Sequence, residues 1–188
     1  MSRPTLQVIL ASTRPGRVGK PVADWFVLRA EKLALFDVEL VDLAEVNLPF
    51  FDEPRHPRLG DYQHEHTRAW SRTIQRGDAF VFVTPEYNHG FNAVLKNALD
   101  YLNAEWAFKP AGIVSYGGVA AGTHAAQMLK PVLSALKVHV VVEAVNIPFV
   151  AQFVDDGQIK ANGVMDDAAD AMTTELQRVM QHMAAMRA

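Results

Sequence analysis

At 188 residues, with a formal net charge of −3, the chain is long enough for one domain with a substantial core, and we take residues 1–188 as that single domain. The near-neutral charge argues against a nucleic-acid partner, and the absence of cysteine excludes disulfides, thiol nucleophiles and cysteine zinc sites. Its apolar stretches are too short for a signal peptide or a membrane span, so a cytoplasmic location with no membrane partner is expected.

Short apolar runs alternate with amphipathic patterns along the chain, as in a protein of alternating strands and helices. The predicted strands are residues 6–10, 38–43, 79–83, 111–116 and 138–143. The predicted helices are residues 22–33, 61–76, 91–103, 123–136 and 166–187. Asn92 is expected to cap the third of these helices, and Pro131 to kink or break the fourth. We expect the C-terminal helix to pack on the domain or on a neighbouring subunit.

This alternation predicts an α/β fold with a five-stranded parallel sheet between two layers of helices. The leading topology is the flavodoxin-like three-layer sandwich with strand order 2-1-3-4-5. Its switch point lies between strands one and three, which brings three loops to one edge of the sheet: residues 11–20, 85–90 and 117–122. Ligands of open α/β sheets bind at the carboxyl ends of the strands, so these loops predict one shared binding site.

The first loop has the composition of a phosphate site. It combines two hydroxyls, three cationic side chains and two glycines ahead of a helix N-terminus: Ser12, Thr13, Arg14, Arg17, Lys20, Gly16 and Gly19. The alternative is an ordinary strand-to-helix turn whose basic residues are solvated.

Two common nucleotide motifs do not match this loop. In a Walker A loop, Gly19-Lys20 would need a hydroxyl residue next, where Pro21 stands, and an earlier glycine, where Arg14 stands. A dinucleotide site would need a further glycine and an acidic residue ending strand two, but Asp42 is expected inside that strand. We therefore expect a mononucleotide bound by its phosphate, with an aromatic ring lying across the other two loops.

Three segments of the sequence resemble the NADPH-dependent FMN reductase family: Ser12–Arg17, Pro85–Gly90 and Leu95–Asp100. The resemblance extends over residues 6–142. It implies a flavodoxin-like fold, non-covalently bound FMN, and oxidation of NADPH or NADH to reduce flavins, quinones, azo dyes or metal oxyanions. It also implies a homodimer or homotetramer.

The resemblance further implies an FMN site, residue by residue. The phosphate would be held by Ser12, Arg14, Arg17, Val18 and Gly19. The ribityl chain and the isoalloxazine would be lined by Pro85, Glu86, Tyr87 and Asn88. The pyrimidine edge of the ring would be approached by Ser115, Tyr116, Gly117 and Gly118. Two departures affect this inference, because residues 17–19 replace the Ser-Phe-Asn of many members and Asn92 replaces a proline.

The chemistry would belong to the cofactor, so we predict no catalytic residue. For His89 the one hypothesis is that it donates a proton to a quinone. His56, His64 and His66 invite a metal interpretation, but residues two apart on a helix point to different sides, so no metal site is predicted. Trp106 is expected at a subunit interface. The alternatives to a reductase are a flavodoxin-type electron carrier and a non-catalytic flavin-binding protein.

Overall fold

The computed structural model describes residues 3–187, which contain a five-stranded parallel sheet with helices on both faces. The strands are β1 (Thr5–Leu10), β2 (Asp37–Asp42), β3 (Ala79–Pro85), β4 (Pro110–Tyr116) and β5 (His139–Ile147). Their order is β2-β1-β3-β4-β5, and every neighbouring pair is parallel. The predicted topology is confirmed, with its switch point between β1 and β3.

The helices follow the predicted alternation with shifted ends. They are α1 (Gly19–Leu33), α2 (Leu43–Val46), α3 (Glu65–Gln75), α4 (Ala93–Asp100), α5 (Thr123–Ala135) and α6 (Gly163–Met183). Short 3-10 turns occupy Pro57–Leu59, Val150–Phe153 and Ala184–Met186, and a two-stranded hairpin pairs β6 (Val154–Asp155) with β7 (Gln158–Ile159). Within residues 3–187, no helix is both long and apolar enough to cross a bilayer.

Helix α5 runs through Pro131 without interruption, so the predicted break is wrong. Pro131 is exposed, whereas Leu129 and Leu133 on either side of it are fully buried. The lost N–H therefore falls on the solvent side, and the buried leucines hold both halves of the helix against the sheet.

Strand β3 supplies both faces of the core, as its unbroken apolar run predicts. Ala79, Val81 and Val83 point into a cluster formed with α1 and α6. Phe80 and Phe82 point into the opposite cluster, formed with α3, α4 and α5. These two clusters separate the three layers of the sandwich.

Helix α6 packs against α1 and β5 and is fastened by ion pairs as well as apolar contacts. Arg29 of α1 lies 2.6 Å from Asp170 and 3.3 Å from Asp166, and Trp25 donates a hydrogen bond to Asp166 at 3.0 Å. The buried face of α6 includes Met165, Ala169, Met172, Leu176 and Met180. The acidic residues near its start thus bind α1 in addition to complementing the helix dipole.

Trp106 is a core residue, so its predicted place at a subunit interface is wrong. Its side chain is 1% exposed, and its indole N–H donates to the carbonyl oxygen of Leu99 at 3.3 Å. The ring packs edge-on against Phe80 and Trp70, with centroid distances of 5.1 and 6.1 Å. The turn after α4 folds the indole back under the sheet, where its apolar area is buried.

Asn92 precedes α4 but does not cap it, in contrast to the prediction. Its side-chain amide donates instead to the buried carbonyl oxygen of Ala11, at 2.6 Å. This contact satisfies a backbone acceptor just beyond β1, which would otherwise be buried without a partner. It also ties the start of α4 to the first loop. The predicted pair of Lys96 and Asp100 is present at 2.6 Å.

A cavity of about 730 Å³ lies at the opposite edge of the sheet from the predicted site, where β4 begins. Lys109 borders it and is only 7% exposed. Its ammonium donates to the carbonyl oxygen of Ile74 at 3.0 Å, at the C-terminal end of α3. Burial lowers the pKa of Lys109 to about 8, because the neutral amine loses less solvation than the charged one.

We expect the Lys109→Met variant to show a different pH profile of stability from the parent. Below pH 8 Lys109 is charged in both states, and the cost of burying it is fully present. Between pH 8 and about 10.5 the unfolded chain binds the extra proton, so the parent gains about 1–3 kcal/mol of unfolding free energy that Lys109→Met does not. Urea unfolding at pH 7 and 9.5 measures this, and parallel profiles would contradict it.

Candidate functional site

The three predicted loops meet at the carboxyl ends of β1, β3 and β4 around a cavity of about 160 Å³. It is lined by Ser12, Arg14, Gly16, Arg17, Val18, Pro85, Glu86, Tyr87, Tyr116, Gly117 and Val150. Most of the predicted site residues therefore converge here. Gly19, Asn88, Ser115 and Gly118 do not line the cavity.

The start of α1 offers unpaired backbone donors to this cavity. Val18 occupies the N-cap position in a helical conformation, and no side chain among residues 3–187 caps the helix there. The first turn also carries no acidic residue. Helix N-termini carry partial positive charge and free N–H groups, so this end of α1 suits an anion such as a phosphate. Ser12, which is 2% exposed, lies two residues beyond the end of β1 and lines the cavity together with Val18.

Arg17 is already engaged by an acidic partner. Its guanidinium forms a two-pronged ion pair with Asp42, with one contact at 2.7 Å, and also donates to the carbonyl oxygen of Ser12. Asp42 is the last residue of β2, rather than an interior one as predicted, and it caps α2 by accepting from the N–H of Ala44 at 2.9 Å. Its carboxylate is therefore already bound by Arg17 and Ala44 and is not free to bind a ribose hydroxyl.

This pairing gives the cations of the first loop different roles. Arg17 holds the loop shape through Ser12, whereas Arg14 is exposed. Lys20 pairs with Asp24 at 2.6 Å on the outer side of α1. Arg14 is thus the loop cation that stays available for a ligand phosphate.

Tyr116 ends β4 directly beneath the start of α1. A Cβ atom added to Gly19 would lie 2.4 Å from the Tyr116 hydroxyl oxygen, so any larger residue would have to displace the Tyr116 side chain. The hydroxyl is buried; the Ser12 side chain lies near it, but no residue among 3–187 forms a hydrogen bond of good geometry with it. Burial raises the pKa of Tyr116, so at neutral pH it is a protonated donor. A buried donor without a partner is costly, and a polar ligand in the cavity would supply one.

The second loop is a tight turn closed by two backbone hydrogen bonds between Tyr87 and Gly90, at 2.8 and 3.0 Å. Asn88 and His89 both adopt positive φ, 51° and 65°, which is the pattern of a type I′ turn. The N–H of Glu86 donates to the carbonyl oxygen of Tyr116 at 3.2 Å. The second and third loops are thus fastened to each other.

The Glu86 carboxylate reaches the N-terminus of α5. It accepts from the backbone N–H of His124 at 3.1 Å and lies 3.0 Å from Nδ1 of the same residue. Desolvation raises the pKa of Glu86, but the bonds from His124 and Ala125 outweigh it and lower the pKa below its usual value. The carboxylate is therefore ionised at neutral pH.

Ser115 lies beneath the third loop and supports it, but it does not line the cavity. That side chain is fully buried, with its hydroxyl 2.9 Å from the carbonyl oxygen of Ala121 and from Asn146 Oδ1. Val150 completes the cavity because its N–H donates to Gly117 at 3.2 Å. Val150 was not predicted as a site residue, because it lies in an irregular arm with no motif to signal this contact.

Two pairs of stacked histidines flank the sheet. His64 and His66 stack at 5.1 Å, and so do not point apart as predicted, because His64 precedes α3 in an extended conformation instead of lying on it. His89 stacks on His124 with ring centroids 4.2 Å apart and planes 8° from parallel. His124 was also missed, since it stands at a helix start far from the second loop in sequence.

Residues 4–152 match the family model of NADPH-dependent FMN reductases. The chain belongs to this family. It is 46% identical over 139 residues to the NAD(P)H-dependent FMN reductase C4B3.06c of Schizosaccharomyces pombe, covering 73% of this chain and 69% of that protein. It is 37% identical over 145 residues to the NAD(P)H-dependent FMN reductase LOT6 of Saccharomyces cerevisiae, covering 71% and 75%.

A solved structure gives the same fold for this FMN reductase family member. FerB, a flavoenzyme NAD(P)H:(acceptor) oxidoreductase from Paracoccus denitrificans, superposes with a TM-score of 0.67 over 97% of this chain and 98% of that one, at 22% identity. The flavodoxin-like architecture is thereby confirmed.

The site fits the cofactor that the family name implies. FMN carries a phosphate for the uncapped end of α1, and polar ribityl and ring atoms for the unpaired hydroxyl of Tyr116. The cavity is smaller than the roughly 300–1,000 Å³ of complete ligand sites, so it holds part of such a molecule and leaves the remainder over the exposed rim.

Proposed function

We propose that this protein is an NAD(P)H-dependent oxidoreductase that reduces a small-molecule acceptor by way of non-covalently bound FMN. The observation that carries the proposal is the cavity at the switch point, where the uncapped start of α1, the exposed Arg14 and the buried Tyr116 hydroxyl converge. Family membership supports the same reaction class. The acceptor classes are those of the resemblance: flavins, quinones, azo compounds or metal oxyanions.

In this proposal the phosphate is held by the residues that surround the start of α1. Ser12 donates its hydroxyl, Arg14 supplies charge, and the N–H groups of Val18 and Gly19 bind oxygen atoms. Arg17 contributes by fixing the loop through Asp42 and Ser12, rather than by direct contact. This division would let the loop hold a phosphate although residues 17–19 replace the Ser-Phe-Asn of many family members.

The ring would rest on the second and third loops. The backbone of Pro85–Asn88 and of Gly117–Gly118 supplies fixed donors and acceptors, and Tyr87, 42% exposed, flanks the open side. Tyr116 would donate its hydroxyl to a ligand oxygen. The exposed rim would leave the bound ring open to small molecules from solvent.

FMN, when bound, supplies the hydride-accepting and electron-donating chemistry. The protein orients the ring, keeps one face accessible and holds the phosphate, so no general acid or base is required of it. His89 lies on the second loop, stacked on His124, and a proton-donor role for it stays a hypothesis.

The test is FMN affinity in matched variants. We expect Arg14→Ala to weaken FMN binding about 10- to 100-fold, because a charged hydrogen bond to phosphate is lost. Lys20→Ala removes a cation from the same loop that already pairs with Asp24, and should leave affinity nearly unchanged. Quenching of FMN fluorescence on titration with protein measures both.

Anaerobic addition of NADPH to the FMN-loaded protein then separates the alternatives. Bleaching of the flavin absorbance supports a reductase. Bound flavin that stays oxidised with NADPH and with NADH would favour an electron carrier or a non-catalytic flavoprotein. Failure to bind FMN would contradict the site itself.

We also propose that the chain acts as a single domain within a homodimer or homotetramer, with a neighbouring subunit forming part of the nicotinamide site. Support comes from exposed aromatic side chains, namely Phe50 at 87%, Phe149 at 50% and Phe51 at 41% exposure. Light scattering at micromolar concentration tests this, and a monomer would contradict it.

A further inference from the structure

Three side chains of metal-binding residue types lie close together beside the second loop. Donor atoms of Glu86, His89 and His124 all lie within 4.8 Å of one another, and this is the one such group of three among residues 3–187. Glu86 Oε1 and His124 Nδ1 are 3.0 Å apart. In tetrahedral zinc sites with bonds of about 2.0–2.1 Å, neighbouring ligand atoms are about 3.3 Å apart, so this pair needs little movement. The His89 ring, which lies nearly parallel to the His124 ring, must rotate out of the stack to aim a nitrogen at the same ion.

The backbone holds His89 in an unusual conformation to make this group. Its φ of 65° lies in the left-handed region, as does that of Asn88 before it. Type I′ turns favour Asn-Gly at these positions, so histidine is the less stable choice for the turn itself. Two backbone hydrogen bonds between Tyr87 and Gly90 fix the turn and so keep the imidazole against His124. Strain of this kind commonly marks a functional position.

The other histidine pair shows that stacking alone does not make such a group. His64 and His66 also stack, and His66 lies 3.0 Å from Asp52. The carboxylate of Asp52, however, is already shared with the hydroxyl of Tyr101 at 2.9 Å, and His64 approaches only its carbonyl oxygen, at 3.3 Å. This second pair therefore supplies fewer donor atoms to one point and serves as an internal comparison.

We propose that Glu86, His89 and His124 bind a divalent transition-metal ion of the Zn²⁺ type. Two imidazoles and one carboxylate are the donor set of open zinc sites, which leave a fourth position for an external ligand. Both histidines are exposed, so an ion can reach them from solvent. Glu86 also lines the cavity, which puts the bound ion at its rim. An ion there provides a Lewis acid where an acceptor oxygen would approach.

The test uses Zn²⁺ itself on protein first dialysed against a chelator. Isothermal titration should give saturable binding of one ion per chain. His124→Ala and His89→Gly should each weaken it by more than about 100-fold, since losing even an outer partner of a ligand typically costs 10- to 100-fold. His66→Ala, which disrupts the comparison pair, should leave the affinity unchanged.

His89→Gly also guards against loss of folding, because glycine relieves the left-handed conformation and should keep or raise the melting temperature. Cobalt substitution adds a visible spectrum that reports tetrahedral coordination. The proposal is overturned if the parent shows no saturable binding, if binding survives both His124→Ala and His89→Gly, or if His66→Ala abolishes it. Zinc binding does not require FMN, so titrations with and without FMN distinguish failure of this proposal from failure of the proposed reductase.

Discussion

The Asp42→Asn variant is expected to lose about 3–5 kcal/mol of unfolding free energy, because it leaves the largely buried guanidinium of Arg17 without its counter-ion. The side chain of Asp42 is 4% exposed and that of Arg17 is 18% exposed, so water screens the pair only weakly. Asparagine caps helices as well as aspartate does, so the bond to Ala44 at the start of α2 is retained. The change therefore isolates the charge.

Urea unfolding of a double-mutant cycle measures this effect. The matched variants are Asp42→Asn, Arg17→Met and the two combined. Because each single change strands one charge, the double variant should be more stable than the sum of the single effects predicts. A loss below about 1 kcal/mol in Asp42→Asn would mean that the pair behaves as an exposed salt bridge. Weaker FMN binding should accompany the loss, since Arg17 also holds the carbonyl oxygen of Ser12.

The second large effect is expected from alanine at Gly122, which precedes α5. Gly122 has a φ of +77°, and an added Cβ would lie 2.7 Å from the Tyr116 backbone nitrogen and 2.9 Å from its carbonyl oxygen. Backbone atoms cannot rotate away as a side chain can. The left-handed strain and the clash together should remove about 2–5 kcal/mol of unfolding free energy.

Two glycines in the same loops provide controls for the separate causes. Gly16 has a φ of +67° but open space around its Cβ position, so Gly16→Ala should show the strain alone, about 1–2 kcal/mol. Gly118 has open space and no left-handed φ, and Gly118→Ala should stay within about 0.5 kcal/mol of the parent. Equal losses at all three positions in thermal unfolding would refute the steric explanation.

The sheet and its order could be predicted from the sequence because they depend on local patterns. The apolar run of β3 is continuous, and each strand is followed by a helix with one apolar face, so a parallel sheet is the consistent solution. The convergence of the three loops then follows from topology alone. Even the end of β4 at Tyr116 was predictable, since glycines follow it directly.

The errors concern side chains whose partners lie far away in sequence. Asn92 fits a cap by its residue type, but the carbonyl oxygen of Ala11, 81 positions earlier, competes for its amide and wins. Arg17 matches a phosphate ligand in composition, yet Asp42 takes its guanidinium. Trp106 follows a helix, and only the tertiary fold shows that it turns inward. The spacing of residues along the sequence does not show which distant group will compete for a side chain.

Helix α6 adds a different kind of boundary. The family match ends at residue 152, whereas the apolar stripe of α6, from Met165 to Met180, closes one side of the sheet. A fragment that ends at residue 152 would expose that side of the sheet to solvent and leave Arg29 without its two acidic partners. The segment that matches the family model therefore ends before the segment that is needed for folding. Fragments and fusions of this protein should keep the chain through residue 183.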